Sequence, residues 1–112
     1  VRKKSYGAVI AYVGTVRDVS HGRNVVFMEH QASLQDLARE ELERIAQEIE
    51  RRWNLQDVAI VHRIGKLRTG EILLVVAIGA PHRVEAFEAC QYAIDAFKQV
   101  ASRWTTETLE PG

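Results

Sequence analysis

The sequence lacks the residues on which several classes of protein depend. Its 112 residues include one cysteine, Cys90, so the chain can form neither an internal disulfide nor a cysteine-rich metal site. No apolar run approaches the roughly 20 residues of a membrane-spanning helix, since even Ile72–Ala80 is short and ends at Pro81. The basic start, Val1–Lys4, is followed by no apolar signal-peptide core. We therefore expect a protein of the reducing cytoplasm with no membrane partner.

An excess of charge of either sign is also missing. Lysine plus arginine and aspartate plus glutamate each number 15, so the formal net charge is zero and indicates no nucleic-acid partner. The four histidines lack the spacing of metal ligands, and a single cysteine cannot complete a zinc site. The sequence thus indicates no metal and no other cofactor, and any cationic site must be local.

Apolar periodicity divides the chain into strands and helices. Four segments have the pattern of strands: Gly7–Val16, Val25–Gln31, Asp57–Ile64 and Glu71–Ala80. Two segments have apolar residues at helical spacing: one from an N-cap at Ser33 to about Trp53, and one from near His82 to Ala101. A turn cluster at residues 20–24 predicts a hairpin between the first two strands. Residues 65–70 are predicted to be the loop between the last two strands, and the chain from Ser102 onward is predicted to be irregular.

This order predicts one α+β domain over residues 1–112, with two helices packed on one mostly antiparallel sheet. Glu71–Ala80 is apolar at nearly every position, which predicts cover on both faces of that strand. Cys90 falls on the buried stripe of the second helix, so we expect a small core residue and not a reactive thiolate. Trp104 is expected in the core or in an interface.

The start of the second helix, at Pro81-His82-Arg83, is the first candidate binding site. A helix N-terminus offers free backbone N–H groups and partial positive charge, and both attract anions. An imidazole and a guanidinium beside them add donors suited to phosphate or carboxylate. The alternative is that His82 and Arg83 merely cap and solubilise the helix. Because cations at this end oppose the helix dipole, their presence favours a bound anion.

Lys98, near the end of the same helix, is the second candidate. It borders the apolar stripe, where a lysine usually only extends its ammonium to solvent, but a partly covered one can act as a nucleophile or proton-transfer group. Arg83 and Lys98 are 15 residues apart, about 22 Å along a straight helix. They cannot share a small site within one chain. If both belong to one site, two copies must build it, as a symmetric dimer does.

Three further polar residues lie on or next to predicted strands. Arg17 follows the first strand, where a surface ion pair with Asp18 is the alternative to a binding role. His62 and Arg63 lie within a predicted strand and are given a structural role only.

Several segments, taken together and in order from about Gly7 to Glu107, resemble the large, catalytic subunit of molybdopterin synthase. They are Gly7–Val9, Val13–Asp18, Val61–Gly65, Pro81–Arg83, Glu85–Cys90, Ala93–Asp95 and Lys98. The resemblance implies an α/β-hammerhead type of fold and a homodimer within a heterotetramer. It implies a small ubiquitin-like sulfur-carrier subunit whose Gly-Gly tail, activated as a thiocarboxylate, enters the large subunit. Sulfur would pass to cyclic pyranopterin monophosphate, in molybdenum cofactor biosynthesis.

The resemblance also implies roles for single residues. Arg17, His82 and Arg83 would hold the substrate phosphate, and Lys98 would be the first active-site lysine, in a site shared across the dimer.

The tail of the chain departs from the family pattern. Where the family has Pro-x-Trp-Lys-Lys-Glu, this chain reads SRWTTE, so the second active-site lysine falls on Thr105. Threonine cannot replace an ammonium, and Arg103 is the nearby cation that could supply charge. Two interpretations stay open: an active sulfurtransferase, or a catalytically weakened paralogue that serves as a dimeric anion-binding, pterin-binding or scaffold protein.

Overall fold

The computed structural model describes residues 6–17, 19–20, 23–30 and 32–109. Within these ranges the elements are β1 (Ala8–Thr15), β2 (Val19–Ser20), β3 (Arg23–His30), a 3₁₀ turn (Ala32–Leu34), α1 (Gln35–Trp53), β4 (Asp57–His62), β5 (Gly65–Arg68), β6 (Ile72–Ala80), α2 (Arg83–Ala101) and β7 (Thr105–Leu109). Both predicted helices and all four predicted strands are present, with small shifts at their ends. Asp18, the expected partner of Arg17, lies outside the described residues.

The first sheet is antiparallel and has three strands in the order β1, β6, β4. Helices α1 and α2 pack on one face of it, and the main core fills the space between. Residues of β6 at alternate positions, Leu74, Val76 and Ile78, meet Ile49 of α1 and Phe97 of α2 there. The predicted α+β fold, with two helices on an antiparallel sheet, is confirmed.

The second sheet gathers β2, β5 and β7 around β3, and it corrects three predictions. The hairpin joins β2 to β3, because β1 instead pairs along its length with the longer apolar strand β6. Residues 65–68, expected to be a loop, form β5 against β3. The tail is not irregular from Ser102, since Thr105–Leu109 pairs with β3 as β7. Its β-branched threonines suit a pleated strand.

The helix ends also differ in part from the prediction. Ser33 is not the N-cap of α1, because Ala32–Leu34 forms a 3₁₀ turn that moves the α-helical start to Gln35. No side chain caps that end, and the other end closes on Asn54 in the left-handed conformation (φ 54°). None of the helices among the described residues has the length and apolarity to cross a membrane.

The first sheet leaves its second face open. Val9 and Val13 of β1 and Val61 of β4 are 44%, 51% and 62% exposed there. The strand register aligns two apolar rows across this open face: Val13, Val75 and Val61, and then Ala11, Ala77 and Ala59. The prediction that both faces of β6 are covered is therefore wrong for a single chain, since the helices cover only one face.

Candidate active site

A cleft of about 400 Å³ lies beside the C-terminal end of α2, bounded by the end of β1 and the start of β7. It brings together three residues singled out in the sequence: Arg17, Lys98 and Thr105. Arg17 and Lys98 are cations, and the described residues that line the cleft include no aspartate or glutamate. A cleft with two cations and no acid suits an anionic ligand.

Arg17 is held at the rim of this cleft by its neighbour Val16. The Val16 side chain is buried at 4% exposure, in a small second core with Leu67. Its backbone N–H donates to the Glu71 carbonyl (3.0 Å), and its carbonyl accepts from the Gly70 N–H (2.9 Å). Arg17 itself is exposed. The strand end is thus anchored while the guanidinium stays available to a ligand.

Lys98 and Thr105 are positioned by an aromatic cluster behind the cleft. Phe97, next to Lys98, packs edge-on against Trp104, next to Thr105, with ring centroids 5.7 Å apart. The His62 ring lies 5.0 Å from that of Trp104. Trp104 is 1% exposed, which confirms a core position. Because both neighbours are locked in the core, Lys98 and Thr105 are fixed on the walls of one cleft.

The corner at His82 and Arg83 lies at the opposite end of α2. His82 is the N-cap residue, with extended backbone, and its side chain makes no capping hydrogen bond. Both side chains are exposed. Gly7 packs tightly behind them: its N–H donates to the carbonyls of Ala80 and Pro81, each at 3.1 Å. A Cβ on Gly7 would lie 2.3 Å from the Pro81 oxygen, so only glycine fits there.

The chain therefore separates the candidate residues into two groups. Arg17 shares the cleft with Lys98, whereas His82 and Arg83 do not line it. The family resemblance groups Arg17 with His82 and Arg83 around one phosphate, in a site shared across a dimer; within a single chain, Arg17 lies with Lys98. The helical span from Arg83 to Lys98, about 22 Å, keeps His82 and Arg83 away from this cleft.

Arg103 is not among the residues of its own chain that line the cleft. It points to the other side, into a groove between α1 and α2. There its Nη1 lies 3.5 Å from Oε1 of Glu41, a carboxylate only 5% exposed. The chain turns at residues 102–104, so the side chains of Arg103 and Thr105 leave it in different directions.

Sequence reasoning missed Tyr12, which also lines the cleft. The signal was available, because alternate residues of β1 face the helices and Tyr12 is on that side. It also missed the partner of Arg63, which is Glu71 at 2.9 Å. The Arg68 N–H and the Arg63 guanidinium both hydrogen-bond to the Glu71 carboxylate and lower its pKa.

Cys90 takes the position expected of it. The side chain is buried in the main core, and burial raises the pKa of its thiol. The described residues contain no group of three histidine, cysteine, aspartate or glutamate side chains placed to hold a metal ion.

The family comparison and the sequence comparison with known proteins point to the same kind of protein. The family model described as "MoaE protein" matches residues 1–100. The molybdopterin synthase catalytic subunit of Bacillus subtilis (strain 168) is 40% identical over 112 residues, which cover all of this chain and 71% of that protein. The catalytic subunit of a Nostoc species is 44% identical over 107 residues, covering 95% of this chain and 64% of that protein.

A solved structure shares the fold as well. The X-ray structure of molybdopterin synthase from Staphylococcus aureus superposes with a TM-score of 0.84 at 32% identity. The superposition covers 99% of this chain and 80% of that one. By family match, sequence identity and fold, the chain belongs to the MoaE family of molybdopterin synthase catalytic subunits.

Proposed function

We propose that this protein is the sulfur-transferring subunit of a molybdopterin synthase, acting on cyclic pyranopterin monophosphate. The observation that carries the proposal is the acid-free cleft, in which Arg17, Lys98 and Thr105 meet. A phosphorylated substrate and a thiocarboxylate donor are both anionic, and the two cations suit them. The relatives named above are molybdopterin synthase catalytic subunits, which supports the proposal.

Each cation has a distinct role in this proposal. The Arg17 guanidinium presents a planar fork of donors, which matches the oxygens of a phosphate. Lys98 would lie beside the sulfur-accepting carbons, where an ammonium stabilises developing negative charge or transfers a proton. The buried neighbours of Lys98 and Thr105 hold the cleft walls rigid, so the charges are oriented before the substrate arrives.

We also propose that a second copy of the chain completes the site. His82 and Arg83 belong with the substrate phosphate, yet α2 keeps them about 22 Å from Lys98 in the same chain. The open sheet face, with its rows of valine and alanine, is an apolar surface that a second copy would cover.

A symmetric dimer through the open face would bring the two groups together. In this dimer the open faces of the two copies pack against each other, and the two-fold axis lies between them, perpendicular to the strands. The strands of one copy then run opposite to those of the other. The Pro81 corner lies at the start of β1, and Arg17 lies beyond its end. In such a dimer, the corner of one copy approaches the cleft of the other.

The sulfur donor in this proposal is a separate small subunit. The relatives are named catalytic subunits, which implies another kind of subunit in the enzyme. We propose a ubiquitin-like carrier whose Gly-Gly thiocarboxylate tail reaches Lys98, with one carrier for each large subunit of a heterotetramer. A reducing, cytoplasmic setting is proposed as well, because the sole cysteine is a buried free thiol.

A second candidate function rests on Thr105. This residue lines the cleft, at the position where the family resemblance places an active-site lysine. The missing ammonium favours a weakened paralogue that binds pterin without turnover. The test is reconstitution with thiocarboxylated small subunit and cyclic pyranopterin monophosphate, measuring molybdopterin. An active wild type supports the enzyme. A wild type that binds the pterin but forms no product, and gains a large rate from Thr105→Lys, supports the weakened paralogue.

A further inference from the structure

The aromatic cluster behind the cleft contains one residue to which the proposed function gives no role, His62. It is not among the described residues that line the cleft, but its ring lies against Phe97, which is, and against Trp104. We infer that His62 is a positioning residue for sulfur transfer: its ring keeps these two rings in place, and they fix the cleft wall that carries Lys98. This inference rests on the proposed function, since the rate it concerns is that of the same reaction.

The last position of β4 places the His62 ring on the side of the sheet that faces the helices. His62 pairs with Leu74 of β6, which is 2% exposed and lines the cleft. The next residue secures the strand end: the Arg63 N–H donates to the Leu73 carbonyl at 3.0 Å, and the Arg63 guanidinium donates to Glu71 at 2.9 Å. Because these hydrogen bonds hold the backbone, the imidazole is a fixed support for the rings that pack on it.

The three rings of the cluster pack against one another. The His62 ring lies 5.0 Å from the Trp104 ring and 6.3 Å from the Phe97 ring, inclined at 49° and 52°. Phe97 and Trp104 are 3% and 1% exposed, and Nδ1 of His62 is buried as well. Removal of the imidazole would open a cavity into which the other two rings can shift. Such a shift moves Lys98 and Thr105, the residues that directly follow the two rings in the chain.

The two cations of the cleft are anchored independently. Arg17 depends on its neighbour Val16, which packs with Leu67 in the second core, and the aromatic cluster is not part of that core. Loosening the cluster would therefore displace Lys98 and leave Arg17 in place. Misplacing a reacting group by about 1 Å can lower a rate by up to about 100-fold. We therefore expect His62 to act on kcat far more than on KM.

The kinetic test removes the His62 ring and then restores a ring at the same place. His62→Ala should lower kcat for molybdopterin formation about tenfold while KM stays within about twofold of the wild-type value. His62→Phe keeps a ring against Trp104 and should retain most of the wild-type kcat. Val58→Ala is the matched control, because Val58 packs on the main core from the same strand but pairs with Ile78, away from the cluster. It should destabilise the protein in urea titrations and leave kcat unchanged.

The fluorescence of Trp104 tests the same contact without substrate. In a Trp53→Phe background, Trp104 is the only tryptophan of the chain, and its ring is buried. We expect His62→Ala to shift the Trp104 emission to longer wavelength and to increase its quenching by acrylamide, because water and quencher gain access to the ring. His62→Phe and Val58→Ala should change neither. If His62→Ala does not fold, His62→Leu, which fills much of the space without a ring, replaces it in both tests.

The outcomes separate this inference from the proposed function. A lower kcat with nearly unchanged KM and an altered Trp104 emission, in the variant without the ring and not in Val58→Ala, supports it. If the wild type forms molybdopterin and that variant matches its kcat, or Val58→Ala loses as much, the inference is wrong and the proposed function stands. His62→Phe as slow as His62→Ala also contradicts it, since the ring would not be what positions the wall. If the wild type forms no molybdopterin, both fail.

Discussion

The two ends of α2 place their cations in opposite electrostatic environments. At the C-terminal end, Lys98 lies where the helix dipole favours positive charge, on the wall of a cleft backed by Phe97 and Trp104. At the N-terminal end, His82 and Arg83 are exposed and lie where the dipole disfavours positive charge, and the His82 side chain does not cap the helix. The helix therefore stabilises the positive charge at the first end and not at the second. In the proposed dimer, the substrate phosphate supplies the negative charge that the second end lacks.

The largest loss of activity is expected when the cation at the C-terminal end of α2 is removed. Lys98→Ala should reduce molybdopterin formation by about a hundredfold or more, because it deletes the group proposed for charge stabilisation or proton transfer. The measurement is product formation in the reconstituted assay, with size-exclusion chromatography to verify that the assembly is intact. Lys66→Ala on β5 is the control and should retain activity. Unchanged turnover in Lys98→Ala would remove this residue from the mechanism.

The open sheet face provides the next largest effect. Val61→Glu places a charge in the row of Val13, Val75 and Val61, where a second copy would have to bury it without a partner. We expect dissociation to monomers in analytical ultracentrifugation and a loss of activity of at least about tenfold. Leu37→Glu, at an exposed position on α1, is the control and should leave the assembly intact. A fully dimeric Val61→Glu variant would exclude this face as the interface.

A substitution behind the N-terminal corner should have a moderate effect. The Cβ introduced by Gly7→Ala would overlap the Pro81 carbonyl oxygen, so His82 and Arg83 must shift. We expect activity to fall about tenfold, with a loss of about 1 to 3 kcal/mol in the free energy of unfolding. Gly65→Ala, a strained substitution at the start of β5 (φ 86°), should destabilise the protein without lowering its activity. Equal activity losses in both variants would mean that the corner has no specific role.

The smallest effect is expected on the far side of α2. Arg103→Ala removes the ion pair to the buried Glu41, which should lower the free energy of unfolding by about 1 kcal/mol in urea titrations. Activity should not change, because Arg103 points away from the cleft. Glu41→Gln in the same chain should recover part of the stability, since no buried charge remains. A large loss of activity in Arg103→Ala would show that Arg103 takes part in the reaction.

Sequence patterns predicted the parts of the fold that depend on local periodicity. The buried stripes of α1 and α2 and the apolar run of β6 are visible because burial on a helix or a central strand repeats along the chain. The second sheet was missed because β5 and β7 are short, and their pairing with β3 depends on long-range contacts. The hairpin was misplaced for the same reason, since nothing local to β1 specifies β6 as its partner.

The sequence indicated the candidate site residues, and the folded chain adds where they lie relative to one another. Helix geometry alone separated Arg83 from Lys98, because distance along a helix is fixed by residue count. The position of Arg17 beside Lys98 depends on how β1 crosses the sheet, which only the folded chain determines. Tyr12 was overlooked because an aromatic residue on the inner side of a strand is usually part of the core, and here the absence of a side chain at Gly14 turns it toward the cleft.

The most direct test of the account is complementation between the two ends of α2. Arg83→Ala and Lys98→Ala chains are each expected to be inactive. If they are unfolded and refolded together in equal amounts, half of the dimers contain one of each, and each such dimer has one intact site. We predict recovery of about a quarter of the wild-type molybdopterin formation, as random pairing in a two-fold dimer requires. Activity no greater than the sum of the separate variants would contradict a site shared between two chains.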